Sequence, residues 1–223
     1  MRIMPLVGVI DPGHGGKDPG CRGTRAVEKE LTLLYGLELA EELRTRGHRI
    51  TLTRDDDRYL ALAERTQITN KACPKADFFV SVHFDWNFNP MARGTWSLYF
   101  NNVQYETSLT SRDRGYIVSQ TPSRLGKPLA DEITRYVTEK AGTSTRYNQG
   151  RPFYWWSTGE GRWMREAQLY VLRHTRPPAV ICEVCFLSNP EDEAMALRDD
   201  FRRAVVVGMA DGIEEWGRGY LNV

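Results

Sequence analysis

The chain has few cysteines, no long hydrophobic run and almost no excess of charge of either sign. Its four cysteines are too few and too irregularly spaced for a disulfide scaffold in a chain of 223 residues. No stretch approaches the roughly 20 apolar residues that a membrane-spanning helix needs. The net charge of +1 gives no bulk electrostatic reason to expect binding to nucleic acid or to an anionic membrane.

Familiar catalytic signatures are also missing. The sequence contains no GxSxG motif, which marks the nucleophile of many serine hydrolases, and no HExxH motif of the helical zinc peptidases. The apolar run at the N-terminus is interrupted by Asp11, Pro12 and glycines and is too short for a signal peptide. We therefore expect synthesis in the cytosol with release by another route, although a domain excised from an exported protein would look the same.

Composition favours one globular domain with a substantial core. Hydrophobic residues make up 41% of the chain and charged residues 26%, and the length suits a single domain, residues 1–223, better than two. Apolar runs alternate with segments of helical periodicity, which predicts an α/β fold with a mostly parallel central sheet flanked by helices. The predicted strands are 5–10, 48–54, 77–82, 94–100, 168–173 and 179–186, and the predicted helices are 28–46, 60–72, 125–141 and a helical region from 190 onward.

Four polar residues lie where this pattern places functional groups. His14 and His83 follow predicted strands, Glu183 lies late in a third strand, and Glu28 falls in the first turn of a helix. If the strands are parallel and adjacent, their carboxyl ends meet at one edge of the sheet and these side chains can converge. Zinc hydrolases need three ligands drawn from His and Asp or Glu, with a further carboxylate to move protons.

Ordinary structural roles account for several other candidates. His48 lies in a helix-to-strand turn, and His174 lies among arginines and prolines, so neither is expected to bind a metal. Cys182 and Cys185 form a CxxC pair but belong to a buried strand, where residues three apart point to opposite faces, so we expect core packing. Glu28 alone would be an unremarkable first-turn carboxylate. Glu183 is harder to explain in this way, because burying a carboxylate in an apolar run is costly.

Several segments together resemble a known enzyme family, the zinc-dependent N-acetylmuramoyl-L-alanine amidases of the Amidase_3 type, which includes bacterial autolysins and phage endolysins. The segments occur in the family's order and cover most of the chain: IDPGHGGKDPG, VEKELTL, ITLTRDDD, LAERTQITN, FFVSVHFD, GTWSLYF and QLYVLRHTRPPAVICEVCFLSNPED. The resemblance implies that His14, Glu28 and His83 are ligands of Zn²⁺. It also implies that Glu183 is the catalytic carboxylate.

The same resemblance implies the substrate. This is the amide between the lactyl group of N-acetylmuramic acid and L-alanine of the stem peptide in peptidoglycan, cleaved by a phage lysin or by an excised autolysin domain. Glu183 would take a proton from the attacking water and deliver it to the departing amine. Arg65, Asp85 and Arg162 are further candidates for contacts with the stem peptide, although Arg65 could instead pair with an acidic neighbour.

The chain also departs from the family pattern. Phe84 follows His83 where a small residue is usual, and Val184 and Cys185 stand within the motif that is usually Glu-x-Gly-Phe. Segments 101–124 and 142–160 look longer than in a minimal family member, and the aromatic stretch 153–163 is either a substrate lid or part of the core. Two other functions stay open: a zinc peptidase that cuts within the stem peptide, and a catalytically silent module that binds the cell wall.

Overall fold

The fold is an α/β domain built around one mixed sheet. The computed structural model describes residues 4–72, 75–100, 125–144, 149–151, 154–157, 162–165 and 170–221, and between 149 and 165 it describes the backbone alone. The strands are β1 (Val7–Pro12), β2 (Arg49–Leu52), β3 (Phe78–Asp85), β4 (Trp96–Phe100), β5 (Gln149–Arg151), β6 (Tyr154–Ser157), β7 (Arg162–Arg165) and β8 (Ala179–Phe186). The helices are α1 (Glu28–Thr45), α2 (Leu62–Ala72), α3 (Gly126–Ala141), α4 (Tyr170–His174), α5 (Pro190–Ala196) and α6 (Asp199–Tyr220).

The strand order of the main sheet brings the functional strands together. Six strands are arranged in the order β2-β1-β3-β8-β4-β5. The first four, β2, β1, β3 and β8, are parallel to one another, and β4 is antiparallel to β8. β5 pairs in parallel with β4, and β6 and β7 form a separate antiparallel pair. The predicted α/β class with a mostly parallel sheet is confirmed, and β1, β3 and β8 are direct neighbours, as convergence of the site residues requires.

Hydrophobic clusters cover both faces of this sheet. One contains Ile10, Val80 and Val180 together with apolar residues of α1, α3 and α6. The other contains Val9 and Phe79 with residues of β4 and α4. Adjacent residues of a strand point to opposite faces, which is why Val9 and Ile10 belong to different clusters.

The long helices follow the predicted apolar spacing. In α1, Leu31, Tyr35, Leu39 and Leu43 are buried at intervals of four residues, which places them on one face of the helix. α5 begins as expected, because the side chain of Asn189 accepts hydrogen bonds from the backbone N–H groups of Glu191 and Asp192 and Pro190 occupies the first turn. Among the residues that the structure describes, no helix is long and apolar enough to cross a membrane.

Two predictions about the C-terminal half are wrong. The run 168–173 was expected to be a strand, but Tyr170–His174 forms a short helix; so short an apolar run does not reveal whether its period is that of a strand or a helix. Cys182 and Cys185 pack in the core as expected, but both lie in the same buried cluster and not on opposite faces. The pairing between β3 and β8 shifts after His83 and Glu183, so that Asp85 lies opposite Phe186, and this irregularity inserts an extra residue into β8.

The two expected insertions fall largely outside this description. Residues 101–124 lie outside the described residues, as do 145–148, 152–153 and 158–161 within or next to the second segment. The aromatic stretch 153–163 includes β6 and the start of β7, whose backbones pair with each other. The choice between a lid and a core segment there stays a prediction, because the side chains lie outside the described part.

Candidate active site

Three side chains from three different elements converge at the carboxyl edge of the sheet. His14 lies in the loop after β1, Glu28 is the first residue of α1, and His83 lies near the end of β3. Glu28 Oε1 is 3.0 Å from His14 Nε2 and 2.9 Å from His83 Nδ1. The sequence placed His83 just beyond its strand, whereas β3 continues to Asp85 and carries it within the sheet.

The chemistry of this donor set fits a zinc ion. The ligand atoms of His14, Glu28 and His83 all lie within 4.8 Å of one another. Two imidazole nitrogens and one carboxylate oxygen are the ligands that catalytic zinc sites use, and a tetrahedral ion separates such atoms by roughly 3.4 Å. The separations of 2.9 and 3.0 Å from Glu28 Oε1 are already close to this spacing. These three residues therefore form a possible metal site.

Hydrogen bonds fix the orientation of the Glu28 carboxylate. Oε2 accepts from the backbone N–H of Cys21 at 2.7 Å, and Oε1 also accepts from the N–H of Phe84 at 3.1 Å. Burial alone would raise the pKa of Glu28, but the hydrogen bonds and charges of the two histidines hold this pKa well below its ordinary value. The carboxyl group is therefore ionised, which is the form that binds a metal.

Asp18 orients His14 from the other side of the ring. Asp18 Oδ2 lies 2.9 Å from His14 Nδ1, which leaves Nε2 directed toward Glu28. A carboxylate on the second ring nitrogen is the usual way in which a metal-binding histidine is held in one tautomer. Burial lowers the pKa of His14, but hydrogen bonds and charge from Glu28 and Asp18 outweigh it, so the pKa lies above its ordinary value. Sequence reasoning did not single out Asp18.

Glycines make room for the converging side chains. A Cβ atom on Gly13 would lie 2.3 Å from Cε1 of His83, and one on Gly20 would lie 2.4 Å from Oε2 of Glu28. Gly20 also has a φ of +67°, and His14 itself has a φ of 59°, which is uncommon for a residue other than glycine. The loop is thus built for close approach, and its high glycine content was the available sequence signal.

Buried arginines hold the loop that carries His14. Arg65 is 3% exposed. Its guanidinium donates to Asp11 Oδ1 at 2.7 Å, to the Pro12 carbonyl at 2.8 Å and to the His14 carbonyl at 2.6 Å. Arg54 donates to the carbonyls of Pro12 and Gly13 at 2.9 and 2.8 Å. Arg65 is thus paired with an acidic neighbour, Asp11, which is the alternative role considered for it.

Glu183 lies beside the three converging residues. It is the pairing partner of His83 across the parallel strands β3 and β8, so both side chains point to the same face of the sheet. Both line a cavity of about 430 Å³. Other residues that line it include Asp11, His14, Asp18, Cys21, Glu28, Tyr59, Leu62, Arg65, Asp85, Trp86, Leu98, Val171 and Ile181. All four residues predicted to form the site therefore meet in one cavity.

Asp85 and Arg162, the other two residues predicted to contact the stem peptide, have different surroundings from Arg65. Asp85 lines the cavity, and its carboxylate accepts hydrogen bonds from the backbone N–H of Trp86 at 2.6 Å and from Nε1 of Trp96 at 3.0 Å. Arg162 is the first residue of β7, and its side chain lies outside the described part of the structure.

The remaining histidines have structural roles, as expected. His48 is 5% exposed; its Nδ1 accepts from the backbone N–H of Leu6 at 3.1 Å, and its Nε2 lies 3.0 Å from Glu214 Oε1. His174 stacks on Tyr170 with ring centroids 4.0 Å apart. Cys21, Cys182 and Cys185 are free thiols, and burial raises the pKa of Cys182 to about 12, which makes a thiolate nucleophile unfavourable there.

An α/β fold with a mostly parallel sheet, a His–Glu–His donor set and a neighbouring carboxylate in one cavity define a candidate metal-dependent hydrolase. The chain belongs to the N-acetylmuramoyl-L-alanine amidase family, Amidase_3, whose family model matches residues 9–215.

Individual relatives agree with this assignment. The chain is 28% identical over 230 residues to the N-acetylmuramoyl-L-alanine amidase AmiC of Neisseria meningitidis serogroup B, covering 93% of this chain and 52% of AmiC. It is 32% identical over 207 residues to the endolysin of Bacillus phage SPP1, covering 92% of this chain and 64% of the endolysin. The chain thus spans about half to two thirds of the length of these curated relatives.

A solved structure shares the whole fold. The catalytic domain of CwlV, an N-acetylmuramoyl-L-alanine amidase from Bacillus (Paenibacillus) polymyxa var. colistinus, superposes with a TM-score of 0.73 at 29% sequence identity. The alignment covers 98% of this chain and 99% of that domain. The described architecture is therefore similar to that of a complete amidase catalytic domain.

Proposed function

We propose that this chain is a zinc-dependent amidase that hydrolyses the bond between N-acetylmuramic acid and L-alanine in peptidoglycan. The observation that carries the proposal is the convergence of His14 Nε2, Glu28 Oε1 and His83 Nδ1 in the same cavity as Glu183. Membership of the amidase family supports the choice of bond, and the amidase and endolysin relatives support activity on the cell wall.

His14, Glu28 and His83 would hold the ion. Zinc, when bound, supplies a Lewis acid that activates water and polarises the carbonyl of the scissile amide. Asp18 keeps Nδ1 of His14 engaged, so that Nε2 is presented to the ion. Cys21 and Phe84 hold the Glu28 carboxylate through their backbone N–H groups.

Glu183 moves the protons. Its carboxylate accepts a proton from the attacking water and passes it to the nitrogen of L-alanine, because an amine cannot leave as an unprotonated anion. Its position opposite His83 on the adjacent strand, on the same face of the sheet as this proposed ligand, supports the role. Leu98, Val171 and Ile181 contribute apolar surface to the same cavity. Apolar walls lower the local dielectric constant, so electrostatic interactions within the cavity are stronger.

The three residues expected to contact the stem peptide receive distinct proposed roles. Arg65 is a positioning residue, since it holds Asp11 and the carbonyl of His14. Asp85 is also a positioning residue, because its carboxylate holds the backbone N–H of Trp86 and the indole N–H of Trp96. Arg162 stays a proposed polar contact for the stem peptide. The segments 101–124 and 142–160 stay proposed insertions within a single domain.

Replacing Glu183 by glutamine tests the proposal, because the amide keeps the shape of the side chain but cannot accept a proton. We expect release of stem peptides from purified peptidoglycan to fall by about 10²- to 10⁴-fold, while zinc content per chain is unchanged. His83→Ala should lose both zinc and activity. Near wild-type activity of Glu183→Gln, or loss of zinc from it, would overturn the assigned roles.

A further inference from the structure

An exposed apolar surface lies at the mouth of the cavity. Trp86, Phe88 and Met91, which we call the apolar rim, are 41%, 93% and 76% exposed. The rings of Trp86 and Phe88 meet edge to face, with centroids 4.8 Å apart and an interplanar angle of 83°. Large apolar side chains exposed together are costly in water and commonly mark a binding surface.

Hydrogen bonds hold the loop that carries this rim. Within the loop, Asn87 Oδ1 accepts from the N–H of Asn89 at 2.9 Å, and Asn89 Oδ1 accepts from the N–H of Met91 at 3.0 Å. Asn189 Nδ2, just before α5, donates to the carbonyl of Pro90 at 2.8 Å, and the N–H of Asn87 donates to Ser188 Oγ at 3.0 Å. The backbone that carries the exposed rings is therefore held in place by hydrogen bonds before any ligand binds, which reduces the entropy cost of binding.

The apolar rim is continuous with the active site. Trp86 lines the cavity that contains His83 and Glu183, and it follows His83 by three residues along the chain. Phe88 extends the aromatic surface from Trp86 away from the cavity into solvent. If the scissile amide of a substrate lies beside Glu183, one end of that substrate, either the sugar or the stem peptide, extends over the apolar rim.

The chemistry of the rim favours the sugar end. Residues 86–92, WNFNPMA, contain no charged side chain, and the adjacent Arg93 is paired with Glu191 at 2.5 Å. Stem peptides carry free carboxylates, which need cations or hydrogen-bond donors. The sugars of the glycan strand are neutral apart from the lactyl group, and their rings present C–H faces and acetamido methyl groups that pack on flat aromatic rings.

We propose that Trp86 and Phe88 form a platform that binds the glycan strand of peptidoglycan on the muramic acid side of the scissile amide. This inference rests on the proposed amidase function, since that function places a sugar at the mouth of the cavity. It assigns the polymeric part of the substrate to the surface formed by the loop after β3. The platform sets a preference for long glycan strands over single muramyl peptides.

Binding of peptide-free glycan strands tests the platform separately from catalysis. The strands are prepared from peptidoglycan by complete removal of stem peptides, and their dissociation constants are measured for the zinc-loaded wild type, Trp86→Ala and Phe88→Ala. We expect each substitution to weaken binding by about tenfold, the equivalent of one well-placed aromatic contact. Tyr220→Ala is the matched control, because Tyr220 is 46% exposed at the end of α6, and it should bind like the wild type.

Each outcome separates the platform from the amidase function. Equal binding of glycan strands by wild type and Phe88→Ala would overturn the platform, even if the enzyme still releases stem peptides. Loss of affinity for free stem peptides with unchanged affinity for glycan strands would also overturn it, in favour of a peptide subsite. Because Phe88 is almost fully exposed, its replacement is not expected to impair folding, and thermal unfolding of each variant verifies this.

Discussion

At the scale of single residues, the site depends on close approach of the loop around Gly20 to Glu28. We predict that Gly20→Ala weakens zinc binding by about 10- to 100-fold, as for loss of other supports around metal ligands. The added Cβ would lie 2.4 Å from Oε2 of Glu28 and 2.7 Å from Cδ2 of His14, so both ligands must move. Zinc affinity is measured by competition with a chelator of known affinity.

Gly142 supplies a matched control for this substitution. Its φ of +69° is nearly that of Gly20, but among the described residues no atom beyond its chain neighbours lies within 4 Å of the position where its Cβ would be. Both alanine variants should lose about 1–2 kcal/mol of stability because of the left-handed backbone, whereas only Gly20→Ala should lose zinc affinity. Equal zinc affinities of the two variants would show that crowding at Glu28 is not important.

The main site residues could be predicted from sequence, but their supports could not. His14, His83 and Glu183 are recognisable because each polar group ends or interrupts an apolar run. Asp18 and Gly20 lie within one glycine-rich loop, and only its folded path shows which atoms they approach. Arg65 could be read as a substrate contact or as a partner of an acidic residue, and only the folded structure shows its ion pair with the buried Asp11.

At the scale of secondary-structure elements, α5 supports the segment that precedes α1. Glu193 is 5% exposed, and its Oε1 accepts from the backbone N–H groups of Arg25 and Ala26 at 2.6 and 2.8 Å. The start of α1 has no side-chain cap; instead the N–H of Glu28 donates to the Cys21 carbonyl at 3.0 Å. The path of residues 21–27 therefore determines where Glu28 lies.

We predict that Glu193→Ala weakens zinc binding by about tenfold or more, because one buried and one partly buried N–H group lose their acceptor and the segment shifts. Glu193→Gln should stay closer to the wild type, since its amide oxygen can still accept both hydrogen bonds. Chelator competition and thermal unfolding of both variants separate a local effect from general destabilisation. Wild-type zinc affinity in Glu193→Ala would refute the positioning role.

Element boundaries were predictable where the apolar pattern is long. The period of four in α1 and the eight-residue apolar run of β8 are clear in the sequence. The short run YVL in α4 matches either period, and the segment folds as a helix between β7 and β8. The irregular pairing of β8 depends on its partner strand, so the placement of Cys185 could not be read from alternation alone.

At the scale of the whole molecule, an ionic cluster joins three helices on one side of the sheet. Asp211 of α6 accepts from Arg46, at the end of α1, at 2.7 Å and pairs with Lys140 of α3 at 3.0 Å. Burial would raise the pKa of Asp211, but its hydrogen bonds to Arg46 and Lys140 outweigh this, so the pKa is below its ordinary value. The ionised form therefore stabilises the folded state.

We predict that Asp211→Asn lowers the free energy of unfolding at pH 7 by about 1 kcal/mol. The carboxylate has a lower pKa in the folded than in the unfolded chain. Its contribution is therefore complete above the ordinary pKa of about 3.9 and is lost as the pH falls through the folded value. Urea unfolding at pH 7 and pH 3 measures this difference between variant and wild type.

Glu139→Gln is the control for this cluster, because Glu139 is exposed and pairs with Arg135 at 3.4 Å. Its effect should be smaller at both pH values. A difference between Asp211→Asn and the wild type that is as large at pH 3 as at pH 7 would argue against an ionic origin.

The fold class followed from alternating strands and helices, but the strand order did not. Order depends on which helices cover which face, and this is decided by packing between distant segments such as α3 and α6. Convergence of the site residues therefore depended on β1, β3 and β8 being neighbours, which the sequence could not predict. The structure shows that they are.

We propose that the cavity containing His14, Glu28, His83 and Glu183 cleaves the amide between muramic acid and L-alanine. The most direct test is mass analysis of the products released from purified peptidoglycan by the zinc-loaded wild type. We predict intact stem peptides with a free L-alanine amine, together with glycan strands that retain the lactyl carboxylate. Fragments cut within the stem peptide, with L-alanine still attached to muramic acid, would contradict the claim.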